Sequence, residues 1–192
     1  MKTFDRAELR AFLKAVDANL DRSAKMLIIG GAAASLRYGA TRKTQDIDTW
    51  GGFVRAVEYA VEKAREATGL DVPVAPAGVA EAPYHFEDRL VSLSGFRHLI
   101  VRVPDRYDLA LMKATRGYQH DFDVIHEMHK RRPFQFAKLR NRFDTEMTHV
   151  TAKVGGQKEL RDNFVALVER LFGRTKAAEA RVPKAKKLDL RV

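Results

Sequence analysis

At 192 residues the chain is long enough to bury one substantial core, and a hydrophobic fraction of 45% is that of a globular protein rather than a disordered one. With no cysteine it has no disulfide framework, thiolate metal site or cysteine nucleophile. Net charge +10 makes nucleic acid a partner to test. The sequence shows neither a signal-peptide pattern nor an apolar run near the ~18–20 residues that span a bilayer, which predicts a soluble, cytoplasmic chain with no membrane partner.

In chain order, residues 4–20 place Phe4, Leu9, Phe12, Leu13, Val16 and Leu20 at helical spacing. "MLIIG" reads as a buried strand stopped by Gly30 and Gly31, and "AAASLRY" as one or two helical turns ended by Gly39. "TQDIDTW" reads as a second strand, because Ile47 and Thr49 alternate with Asp46 and Asp48. Residues 53–69 form a helix with a glycine stop, and "DVPVAPAGVAEAP" is a connection with room for a short strand. "RLVSL" and "HLIVRV" are strands around an "SGFR" turn. Four helical patterns follow, in "DRYDLALMKATRG", "DFDVIHEMHKR", "FAKLRNRFDTEM" and "QKELRDNFVALVERLFG". Residues 174–192 hold seven Lys/Arg against two acids, half of the net charge, and read as a basic tail, either solvated or phosphate-binding. The expected fold is α/β (α+β): a core over 1–130 with a small mixed sheet flanked by helices, a helical region over 131–173, and the tail.

The chemistry concentrates between Gly30 and Asp48. On a strand, Asp46 and Asp48 project to one side and Ile47 to the other. Two neighbouring carboxylates repel unless a cation neutralises them, and Mg²⁺ suits hard oxygens while leaving positions for substrate phosphate. The rival reading is a solvated edge pair. The Gly-Gly turn is either a simple strand-to-helix turn or an anion site at a helix N-terminus. It is neither a Walker loop nor a dinucleotide fingerprint.

"GGAAASLRYGATRKTQDIDTW" resembles the opening motif of the DNA polymerase β-like nucleotidyltransferase superfamily, and more narrowly its minimal, toxin-type bacterial branch (AbiEii/MenT-like). "DLALMKATRGYQHDFDVI" is similar to a second motif of that group, with Lys113, Arg116 and Asp121 in the places of its lysine, arginine and later aspartate. The resemblance implies a nucleoside triphosphate over Gly30 and Gly31, with Ser35, Arg42 and Thr44 contributing to nucleotide binding. It also implies Mg²⁺ on Asp46 and Asp48, and Lys113 as a phosphate cation. The later strand has no acid, so Asp121 is the expected third carboxylate, with Asp123, Glu87 and Asp88 as rivals. Arg42 either meets phosphate or pairs with Asp46 or Asp48.

The charge favours RNA as acceptor, the tRNA 3′ end included. A toxin or defence role with a cognate antitoxin is an implication of the resemblance. Three rivals stand beside this reading: an aminoglycoside-type enzyme with an acidic cleft for a cationic acceptor, a non-catalytic nucleotide- or RNA-binding relative, and a surface acid pair. His126 and His129 fall one residue short of a zinc pattern and read as partly exposed helix residues. Tyr38, Trp50, Phe53 and Tyr59 read as core packing before base stacking. "KRRPFQFAKLRNR" is either a nucleic-acid surface or a charged-flank helix burying Phe134 and Phe136.

Overall fold

The computed structural model describes residues 2–78, 81–150 and 155–183. Helix α1 (Arg6–Ala18) begins at a capping box. The Asp5 carboxylate accepts from the Ala7 and Glu8 amides at 2.9 and 3.0 Å, and Glu8 accepts from the Asp5 amide at 2.7 Å. Its buried stripe is Leu9, Phe12, Leu13 and Val16. Phe4, expected on that stripe, lies before the helix and forms an antiparallel bridge with Thr44. Strand β1 (Ala24–Leu27) turns directly into α2 (Gly30–Tyr38), so the two glycines are the first helical residues rather than a turn ahead of it. Gly39 ends α2 in the left-handed region, and Gly69 ends α3 (Arg55–Thr68) in the same way.

Strand β2 (Ile47–Thr49) pairs in parallel with β3 (Val74–Pro76). Its other edge crosses the end of β1: Ile29 N–H donates to the Asp48 carbonyl at 2.9 Å, and Trp50 N–H donates to that of Leu27 at 2.8 Å. The second sheet runs β1–β5–β4, with β5 (Leu99–Val103) parallel to β1 and antiparallel to β4 (Val91–Ser92). On β5, Leu99, Val101 and Val103 are buried while Ile100 and Arg102 face outward, the alternation of a sheet covered on one face.

Helices α4 (Arg106–Ala114), α5 (Gln119–Arg131), α6 (Phe136–Glu146) and α7 (Gly156–Phe172) complete the α+β body. One buried cluster runs from Phe4 to Ala180, and the Phe143 and Phe164 rings stack at 3.9 Å within it. The basic tail expected over 174–192 begins as helix α8 (Arg174–Arg181), which buries Ala177 and Ala180; its remainder, 184–192, lies outside the described residues. Among the described residues, no helix is long and apolar enough to cross a membrane.

Candidate active site

The crossing of β1 and β2 brings the glycines to the aspartates. Ile47 is fully buried, whereas Asp46, just ahead of the strand, and Asp48, within it, are half-buried. Gly30 sits at φ +67°, and a Cβ there would lie 2.9 Å from Asp48 Oδ2. A Cβ on Gly31 would lie 2.8 Å from Thr44 Oγ1. Both glycines are therefore needed for close approach, and Gly30 also for its backbone. The Thr44 hydroxyl faces Asp46, 3.3 Å from its carbonyl and 3.4 Å from Oδ1. Ile29 caps α2 without a side-chain hydrogen bond, so the first amides of the helix are available to an anion beside the two carboxylates.

Burial pushes the Asp48 carboxyl above the ordinary carboxylate range, and the Asp46 charge adds to this; Arg116 and Lys113 pull in the other direction. A site that raises a carboxyl pKa this way is short of positive charge. Two hard carboxylates with that deficit, beside a cradle that a Cβ would fill, fit Mg²⁺ bound with substrate and water oxygens.

Lys113 and Arg116 reach the same place from α4 and the turn after it. Lys113 is 4% exposed, and its Nζ lies 2.6 Å from Asp121 Oδ1. Arg116 donates to both Asp121 oxygens, at 2.7 and 2.9 Å. Asp121 is fully buried with both oxygens taken. Asp121, the expected third carboxylate, thus pairs with two cations. Among the described residues, no group of three His, Cys, Asp or Glu side chains is placed to hold a metal. Burial lowers the Lys113 ammonium from the usual lysine range, against the pull of Asp121. Of the two cations, Arg116, with 42% of its side chain exposed, is the one open to a phosphate.

Other expected residues fall differently. Ser35, expected to contribute to nucleotide binding, is 2% exposed inside α2. Arg42 is exposed and, among the described residues, pairs with neither Asp46 nor Asp48. Lys43 beside it faces Asp5 and Glu8 of the α1 cap, at 3.7 and 3.9 Å. Asp123 meets Arg170. His129 Nδ1 accepts the Phe134 amide at 3.1 Å, a loop-fixing role. Phe134 is buried, whereas Tyr59 is 63% exposed and outside the core.

Asp46 and Asp48, the glycine-opened helix N-terminus, buried Lys113 and part-exposed Arg116 thus come together on an α+β core. Over residues 7–170 the chain matches the family described as nucleotidyltransferase of unknown function (DUF6036), and it belongs to that family. Neither a curated protein nor a solved structure matched it.

Proposed function

We propose that the protein transfers a nucleoside monophosphate from a nucleoside triphosphate to an acceptor hydroxyl, with Mg²⁺ held by Asp46 and Asp48. The observation that carries this reading is the contact of Gly30 with Asp48: it sets an uncapped helix N-terminus directly beside a carboxylate pair lacking positive charge. Mg²⁺ would supply charge neutralisation at the phosphoryl oxygens.

The chain's own groups do the rest. The Gly30 and Gly31 amides and Arg116 receive the triphosphate, Lys113 adds a buried positive field behind it, and Thr44 orients Asp46. The acceptor oxygen bonds to the α-phosphorus and its proton leaves to solvent. The bond from that phosphorus to the bridging oxygen breaks, and pyrophosphate departs with the electron pair. Pre-set donors of this kind act on charge that develops in the transition state.

The net charge supports RNA, tRNA included, as acceptor, although the part of the tail with four of its seven Lys/Arg lies at 184–192. A toxin role with an antitoxin rests on the resemblance of the Gly30–Trp50 segment alone. A second reading, a small-molecule acceptor, is favoured by an acid-lined cleft beside Trp50.

The test is label transfer from each of four α-³²P-NTPs with Mg²⁺, offered total RNA and a small-molecule extract in parallel. Label that reaches an acceptor with wild type and is lost with Asp46→Ala/Asp48→Ala supports the reading. Equal labelling by the two proteins, or the absence of both transfer and Mg²⁺-NTP binding, refutes it.

A further inference from the structure

Beside Trp50 lies a cleft of about 480 Å³, a volume within the range of small-molecule sites. Five rings border it: Trp50, Tyr84, His85, Phe86 and His149. Trp50 meets Phe86 edge-on at 4.8 Å, and Tyr84 lies against His149 at 3.9 Å. Trp50 follows the end of β2, two residues after Asp48. Phe86 packs in a small apolar cluster with Ile29 and Met112, the residues immediately before Gly30 and Lys113. The cleft is thus built against the same two elements that carry the phosphate site.

Its wall is fixed at both ends. The segment from Tyr84 through the 3-10 turn Phe86–Arg89 is anchored by Arg89, which donates to both oxygens of buried Asp108 at 3.0 Å and to Glu146 at 2.6 Å. The Tyr84 amide donates to the Glu146 carbonyl at 3.0 Å. The segment's one arginine is therefore spent on this anchor.

The charge of the lining runs against that of the chain. In a protein with 35 Lys/Arg and 25 acids, the described residues of the cleft include Glu81, Glu87 and Asp88, two histidines (His149, and His85 at 3.6 Å from Asp88), and no lysine or arginine. Aromatic faces with a carboxylate rim attract an organic cation through the ring quadrupole and Coulomb attraction, and they repel a polyanion. We propose that the cleft receives an organic ammonium group, and that the acceptor whose hydroxyl is modified is a small hydroxylated amine held there by its charge. The acceptor half of this statement rests on the nucleotidyl-transfer reading; the ammonium site does not.

Trp50 is the only tryptophan of the chain, so its fluorescence reads occupancy of the cleft directly. Choline and glucosamine are titrated against their uncharged counterparts, 3,3-dimethylbutan-1-ol and glucose, without nucleotide. The expected result is saturable quenching by the ammonium compounds, with the neutral partners roughly 10-fold weaker or worse. Glu87→Gln/Asp88→Asn, both at exposed positions, should weaken the ammonium compounds by roughly 10-fold while leaving the neutral partners and the Mg²⁺-ATP thermal shift unchanged. Equal binding of neutral partners, or no saturable response to either ammonium compound, overturns the site, as does RNA occupying it in their place. A metabolite extract split by cation exchange then tests the acceptor. Label from α-³²P-NTPs should enter the cationic fraction, and label confined to the neutral fraction or to RNA overturns that half. Quenching with neither transfer to any fraction nor Mg²⁺-NTP binding refutes the transferase reading and sustains the ammonium site.

Discussion

Asp48 is held in a position that costs the apoprotein stability. Its folded pKa is raised, chiefly by burial and then by Asp46, so the neutral form is the one the fold prefers. The stabilisation from that preference is complete below the unfolded pKa, ~4, and is lost as pH rises through the folded value. At neutral pH the ionised carboxylate is a liability that a cation would relieve. Asp48→Asn should therefore raise the melting midpoint of the metal-free protein at pH 7. The gain should shrink as pH falls toward 4, where Asp48 is itself protonated. Scanning calorimetry at several pH values checks this, and a midpoint that drops at pH 7 would contradict it. Gly30 completes the same contact. Gly30→Ala adds a Cβ 2.9 Å from Asp48 Oδ2 at φ +67°, so it should cost ~1–3 kcal/mol in denaturant midpoints and abolish Mg²⁺-dependent nucleotide binding. Gly31→Ala meets the Thr44 hydroxyl without a left-handed backbone, and should lose binding with a smaller stability cost.

Between elements, the critical bond joins α4 to α5 through Lys113 and Asp121, both nearly or fully buried. Asp121→Asn leaves an unpaired ammonium in the interior and should destabilise by ~3–5 kcal/mol. Adding Lys113→Met removes that charge and lets the exposed Arg116 rehydrate, so the double variant should recover at least half of the loss in urea unfolding. Additive losses would show that the pair is not coupled. This pairing also marks the limit of what the sequence discloses. The period-2 alternation that buries Ile47 and sets Asp48 against Gly30 is a property of adjacent residues, and it could be read directly. The i, i+2 spacing of Asp121 and Asp123 likewise separated their faces on α5. Which face meets a cation depends on how α5 docks on α4, and no local pattern encodes that. For the same reason Arg89, Asp108, Arg142 and Glu146 look like surface charges in sequence, yet they form the network that clamps the cleft wall. Composition concealed α8 as well: its charged residues dominate the pattern, and only two alanines face α7.

At the scale of the whole molecule, net charge is a poor guide to local charge. A sum of +10 coexists with an acidic cleft and a carboxylate pair, because the cations near the phosphate site are buried against Asp121 or lie at its margin. The site itself is assembled from residues far apart in the chain: Gly30, Asp48 and Lys113 meet only when β1, β2 and α4 are in place. The unfolded chain has no such constellation, so Mg²⁺-NTP should bind the native state alone and stabilise all of it by mass action. At 100 times the dissociation constant this amounts to about 2.7 kcal/mol, or ~5–10 °C in melting midpoint. NTP without Mg²⁺ should do much less, since its phosphates would face Asp46 and Asp48 with no cation between them. Asp46→Ala/Asp48→Ala should abolish the metal-dependent part of the shift while folding normally, because it removes repelling charges and leaves Ile47 in the core. A thermal shift with Mg²⁺-NTP that persists at full size in the double variant would place the nucleotide elsewhere. Loss of the shift in the variant alone would tie metal-dependent nucleotide binding to these two carboxylates.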